Sequence, residues 1–274
     1  ASSGGGGGAR SAGCGDGGAA LSDEYELTPL LFDASDEANY TALGSVYLVR
    51  KAVAAHAHVY NFATSAYDAF DAVAAQCAVG THARHARFGA DINARGGKKG
   101  HMLTRWRFDV ACDGDVRHHE LALVNVHVFA DLDNLVSHSA EPSPYALERR
   151  AGFERIVAGC ELTASDAPPA LLFGDFNVRL ALRRFLDYVR ARFGDDAVSE
   201  LGAKRCVFRA DVPAKLWHDD AVRADVLAQF DTELGALDGD ARLVELAAPA
   251  FLPTFRRRCD AYAYSSARAP AWTD

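Results

Sequence analysis

Leu171-Leu172-Phe173-Gly174-Asp175-Phe176-Asn177-Val178-Arg179-Leu180 is the stretch on which the reading of this chain turns. Pro168-Pro169 stand before it and a glycine interrupts it, so the apolar run Ala170 to Phe173 reads as a short buried strand between breakers. Asp175 then falls at the mouth of that strand. In a layered α/β protein the loops at the carboxyl ends of strands collect ligand-binding groups. An Asp, an Asn two residues on and an Arg two further therefore form a polar cluster where chemistry is expected. The same spacing also fits an Asx-type turn in which Asp175 and Asn177 bond local backbone, and spacing alone leaves both readings open.

Working outward, the chain has 274 residues, of which 49% are hydrophobic and 24% charged. That is globular material, sufficient for one large α/β domain. A net charge of −8 argues against a nucleic-acid coat or a polybasic membrane patch, but leaves room for a local basic pocket that takes a small polyanion. Cys14, Cys77, Cys112, Cys160, Cys206 and Cys259 show no C-x-x-C spacing, so they read as free thiols in a reducing compartment. No apolar run reaches the length of a membrane span, and the expectation is a cytoplasmic protein without a transmembrane segment. Residues 1–20 are Gly, Ser and Ala with little to bury, and a disordered tail is expected there.

Residues 42 to 49 form a strand candidate by their β-branched and aromatic content. His82 and His85 have the spacing of a ligand pair on one helical face, but with no third ligand nearby they read as a solvated surface. Lys99 to Cys112 and Glu120 to Phe129 flank Asp113-Gly114, which signals a hairpin. The second of these strands is apolar on both faces over most of its length, so it is expected to be central and buried, with His127 held rigidly near its end. Ser143-Pro144 predicts a helix start with Pro at the first helical position. Leu147, Phe153, Ile156, Val157 and Cys160 then make its inward stripe. A second helix carries Leu182, Phe185, Leu186, Val189 and Phe193 and stops at Gly194, and a third runs from about Asp220 to Leu234. Helices alternating with strands point to an α/β architecture.

Gly174-Asp175-Phe176-Asn177-Val178-Arg179-Leu180 resembles the G-D-(F/L)-N-(F/Y)-R-(L/I) signature of the inositol polyphosphate 5-phosphatases, which have the DNase I-like endonuclease/exonuclease/phosphatase fold. Tyr40 to Tyr47 is similar to that family's H-F-T-A-L-G-S-F-Y, and Leu123-Val124-Asn125-Val126-His127-Val128-Phe129 to its L-V-N-I-H-L-F. Lys98-Lys99-Gly100 with Thr104-Arg105-Trp106 resembles R-K-G-F-I-R-T-R-W, and Asp131 to Leu135 resembles H-D-A-S-N-L. Phe251 to Arg256 is similar to F-P-P-(S/T)-Y with Phe255 in place of Tyr, and Arg268 to Asp274 to R-x-P-A-W-C-D-R with Thr273 in place of Cys. The wording is that of the type I branch.

The resemblance implies a DNase I-like α/β sandwich of two packed mixed sheets flanked by helices, with residues 21–274 a partial catalytic domain. It implies a hydrolase that removes the 5-phosphate from soluble inositol 1,4,5-trisphosphate and 1,3,4,5-tetrakisphosphate, with Mg²⁺ as cofactor. His127, Asp175 and Asn177 would be catalytic, while Lys99, Arg179, Arg256 and Arg268 would bind substrate phosphates and Arg105 lies near that pocket. Arg149 would form a structural ion pair. The family's early Gln-Glu strand, whose Glu is the principal Mg²⁺ ligand, and its late Asp-His strand are not found, so the chain is expected to be incomplete at both termini and no metal ligand is assigned. Two alternatives stand beside this reading: a non-catalytic inositol phosphate-binding fragment, and a phosphatase acting on phosphoinositide head groups at a membrane.

Overall fold

The structure is a computed structural model and describes residues 21–33, 41, 43–89, 91–92, 98–130, 143–201, 205–233, 236, 257–258 and 261–264. A helical turn, α1 (Leu21–Glu24), leads into strands β1 (Tyr25–Leu27), β2 (Leu31–Phe32), β3 (Gly44–Ser45) and β4 (Leu48–Arg50). After α2 (Lys51–Ala54) come β5 (Ala57–Asn61), β6 (Ala66–Ala69), α3 (Phe70–Val73) and β7 (Arg84–Arg87). The long strands β8 (Gly100–Cys112) and β9 (Asp115–His127) follow, then α4 (Ala146–Gly159), β10 (Ala170–Asp175) and α5 (Leu182–Phe193). Beyond these lie β11 (Val198–Leu201), β12 (Arg205–Phe208), α6 (Val212–Trp217), α7 (Asp220–Phe230), β13 (Arg257–Arg258) and β14 (Ala261–Tyr264).

The frame is a six-stranded mixed sheet in the order β10-β9-β8-β5-β6, with β7 also paired to β8. Its spine is the β8–β9 hairpin, thirteen residues on each side. Asp113 (φ 54°) and Gly114 (φ 90°) make the two-residue turn, the left-handed pair that matches the twist of the flanking strands. The sequence signal for a hairpin is thus borne out. Among the described strands β10 alone runs parallel to its neighbour, β9. The α/β class is as expected, and the central mixed sheet is consistent with a DNase I-like fold.

Two layers cover this sheet. On one face Leu31, Leu43, Val59, Phe70, Met102 and Trp106 form a core beneath the ribbons β1·β4 and β2·β3. On the other, Leu103, Val124, Val126, Phe129, Ile156 and Cys160 pack under α4. A third core centres on Phe185 and Trp217 between α5, β12, α6 and α7. No helix among the described residues is long and apolar enough to cross a membrane. Cys77, Cys112 and Cys160 are free thiols and Cys206 is buried, while Cys14 and Cys259 lie outside the described residues.

Several expectations are corrected. The strand read over 42–49 is divided into β3 and β4. Helix α4 begins at Ala146, because Ser143 and Pro144 are taken up in a turn in which the Tyr145 amide donates to Ser143 Oγ at 3.3 Å. Leu147 is 74% exposed; the inward face of α4 holds Ala146, Arg149, Gly152, Phe153 and Ile156 instead. Helix α7 ends at Phe230, capped by Asp231, short of the expected Leu234. Strand β10 is only partly buried, since among the described strands it pairs on one side alone and leaves Leu171 40% exposed. His82 and His85 are not a solvated surface: His82 is 4% exposed and 3.2 Å from Asp68, and His85 Nε2 lies 3.0 Å from Thr41 Oγ1. The tail at residues 1–20 lies outside the described residues.

Candidate active site

Register fixes the site. Asp175 and His127 are partner residues on the parallel pair β9·β10, so their side chains leave the sheet on one face at its carboxyl edge. Gly100, the first residue of β8, is the partner of His127 on the other side. This delivers Lys99, just before β8, to the same place, and the Lys99 ammonium donates to His127 Nε2.

The ring of His127 is held from behind. Its Nδ1 lies 3.0 Å from the carbonyl oxygen of Thr41. A carbonyl can only accept, so Nδ1 carries the hydrogen and Nε2 presents its lone pair to Lys99 and the site. Asp175 Oδ2 stands 3.8 Å from that Nε2. The other oxygen, Oδ1, accepts the Asn177 amide at 2.9 Å. The Asx turn and the polar cluster are therefore one arrangement: one carboxylate oxygen ties the loop and the other faces the histidine.

The strained backbone explains the Gly-Asp-Phe-Asn wording. Gly174 sits at φ 119°, and a Cβ there would come within 2.4 Å of the Val126 carbonyl and 2.7 Å of Asn125 Oδ1. Asn177 is left-handed at φ 53°, which Asn tolerates better than most residues. It is 5% exposed, and its Nδ2 donates to Val128 O at 3.0 Å, stapling the loop after β10 to the end of β9. Arg179 donates from Nη2 to Asn177 Oδ1 at 3.3 Å. Behind it the buried Glu233 accepts the Arg179 amide at 3.2 Å and Nε and Nη2 of Arg149, whose Nη1 donates to Phe129 O. Arg149 is the structural ion-pair residue that was expected.

Burial and charge act together on the two titrating groups. Burial pushes Asp175 above the usual carboxylate range, against the opposing pull of His127, the Asn177 amide, Lys99 and Arg179. Burial, and then the Lys99 charge, hold His127 below the usual imidazole range, partly offset by the Thr41 bond and Asp175. The histidine is thus kept neutral beside an ammonium at neutral pH.

Lys99, His127, Asp175, Asn177 and Arg179 are brought together in the structure. Arg105 is not: its strand partner is Ala122, five residues from the Gly100–His127 pair, or about 17 Å along the strand. There it bonds Cys160 O and Glu161. Arg256 and Arg268 lie outside the described residues. Sequence reasoning missed Glu233, whose partner Arg149 is 84 positions away, and Asp33, whose bond to Thr41 nothing in the local spacing announces.

Fold and site together define an α/β protein with a cationic, acid-and-imidazole centre at a sheet edge. A Caenorhabditis elegans protein described as a probable type I inositol 1,4,5-trisphosphate 5-phosphatase is 26% identical over 189 residues, covering 65% of this chain and 43% of its own length. Rat inositol polyphosphate-5-phosphatase A is 24% identical over 196 residues, covering 65% of this chain and 45% of its own length, and its dog counterpart is 25% identical over 195 residues. The chain spans less than half the length of these relatives. The resemblance to inositol 5-phosphatases read from the motifs is thus borne out by curated relatives that carry that name. No family model and no solved structure matches the chain.

Proposed function

We propose that this chain carries the core of an inositol polyphosphate 5-phosphatase, a phosphoric monoester hydrolase that removes the 5-phosphate from inositol 1,4,5-trisphosphate and inositol 1,3,4,5-tetrakisphosphate. The observation that carries the reading is the convergence of Lys99, His127 and Asp175 from the ends of three neighbouring strands. Hydrolysis needs a base for the attacking water and donors for the charge on the phosphoryl oxygens. Asp175 Oδ2, the oxygen not committed to the Asn177 amide, takes the water proton as the water oxygen bonds to phosphorus and the bond from phosphorus to the inositol 5-oxygen breaks, the departing oxygen taking a proton from solvent. Lys99 and Arg179 supply positive charge to the substrate phosphates, and Arg256 and Arg268 are proposed for the same work. A bound phosphate opposes the effect of Lys99 on His127 and favours the doubly protonated ring, which donates from Nε2 to a phosphoryl oxygen. Asn177 has one N–H committed to Val128 O, and its second N–H is the donor proposed for phosphate.

Mg²⁺ is the cofactor that the resemblance implies. Among the described residues no group of three or more His, Cys, Asp or Glu side chains is placed to hold a metal ion. The described centre brings the Asp175 carboxylate with Lys99 and Arg179 close by, whereas Mg²⁺ takes several oxygen ligands. The described donor set does not fit such a site. The same feature favours a second reading, a non-catalytic inositol phosphate binder.

The test is phosphate release from inositol 1,4,5-trisphosphate by the chain, with and without Mg²⁺, beside Asp175→Ala. The expected outcome is release that falls by about 10²–10⁴-fold in the variant, the range of a positioned acid–base group. Binding without release supports the binder, and failure both to bind and to release overturns both readings. Vesicles carrying phosphoinositides, in a parallel assay, separate a lipid substrate from a soluble one.

A further inference from the structure

We infer that Asp33 and Thr41 are positioning residues that set the tautomer of His127, through a buried chain of hydrogen bonds running from a carboxylate to the imidazole. The inference deepens the phosphatase reading, and only its kinetic arm rests on that reading.

Asp33 is 2% exposed and Thr41 1%. Asp33 Oδ2 accepts both the backbone amide and the hydroxyl of Thr41, each at 3.1 Å. Arg87 Nη2 lies 3.4 Å from each carboxylate oxygen and His85 Nε2 is 3.4 Å from Oδ2. Arg87 and His85 thus close around the carboxylate where it is buried. The Thr41 hydroxyl has one hydrogen and gives it to Asp33; as an acceptor it faces His85 Nε2 at 3.0 Å and the Leu43 amide at 3.4 Å. With two of its own donors clamped on one carboxylate oxygen, Thr41 has a fixed orientation. What it presents to the site is its carbonyl oxygen, 3.0 Å from His127 Nδ1.

The consequence is chemical. Had a hydroxyl or water stood in that place, either nitrogen could carry the proton. A fixed carbonyl demands Nδ1–H and leaves Nε2 as the nitrogen that meets Lys99, Asp175 and an incoming phosphate. The route from Asp33 to the site that these bonds describe runs through Thr41 to the ring of His127.

The experiment compares the chain with Thr41→Val, which deletes the clamp to Asp33 while keeping the carbonyl, and with Thr41→Ser, which restores the hydroxyl. Nitrogen-15 NMR of the His127 ring reads the tautomer directly. The wild type should show a protonated Nδ1 and a bare Nε2. Thr41→Val should show a mixture and lose about tenfold in kcat on inositol 1,4,5-trisphosphate with KM changed less than about twofold, the size expected of an outer partner of a functional histidine. Thr41→Ser should recover both. A Thr41→Val protein with wild-type ring nitrogens overturns the inference, and so does a wild type whose proton sits on Nε2. A folded wild type without turnover overturns the phosphatase reading, and the nitrogen spectra then decide the positioning role alone.

Discussion

Asp175 lies in an environment that pushes its pKa up, chiefly through burial. As the proposed base it must be ionised, and a raised pKa means that ionisation is lost at a higher pH than for an ordinary carboxylate. The acid limb of kcat/KM against pH is therefore expected above the usual value of 3.8, and an acid limb at or below it would sink the assignment of Asp175 as base. Gly174 makes a second prediction at this scale. Gly174→Ala drives a Cβ against the Val126 carbonyl at a φ of 119°, and should cost about 2–4 kcal/mol in urea unfolding, the sum of a strained φ and a backbone clash. Much at this scale is legible in the sequence, because Gly174, Asp175 and Asn177 are close neighbours whose conformations follow from local chemistry. The Thr41 carbonyl is not legible: its partner is 86 positions away.

Helix α4 and the loops after β9 and β10 are joined by the Arg149–Glu233 pair, buried at 0% and 7% exposure of their side chains. Breaking a buried ion pair by removing one charge strands the other, at a cost of about 3–5 kcal/mol. Glu233→Gln should lower unfolding free energy by that order and loosen the Arg179 loop, seen as faster amide exchange from Phe176 to Leu180. Unchanged stability would show that the pair does not hold the loop. Here the sequence reading was partial. The alternation of β8 and β9 and the stripe of α5 were plain from periodicity, whereas the inward face of α4 includes an arginine and a glycine that a hydrophobicity pattern passes over. Gly152 is inside because Phe129 packs so close that a Cβ would meet its ring at 3.2 Å.

The stability of the whole molecule carries its own pH dependence. His101 is 3% exposed between β8 and α4, its ring 6.3 Å from that of Phe88, and its Nδ1 is buried without a hydrogen-bond partner among the described residues. Burial, helped by the charge on His85, lowers its pKa from 6.5 to about 4. The unfolded chain therefore binds more protons between those values, so stability is full above pH 6.5 and declines as the pH falls towards 4. The loss is on the order of 3 kcal/mol. Urea unfolding across that range should follow this course, with His101→Gln flattening it; an equal decline in the variant would assign the effect elsewhere. By itself the sequence determined the α/β class, the hairpin, the principal helices and the residues Lys99, His127, Asp175, Asn177 and Arg179, because periodicity, turn chemistry and short motifs are written in neighbouring positions. Only the tertiary structure decided that β10 lies at the edge of the described sheet, that Arg105 bonds the end of α4 and the turn after it, and that Asp33, Thr41 and Glu233 stand behind the side chains of the candidate site. Those depend on which distant segments share a buried volume, where every polar group must find a partner, and no local pattern encodes that.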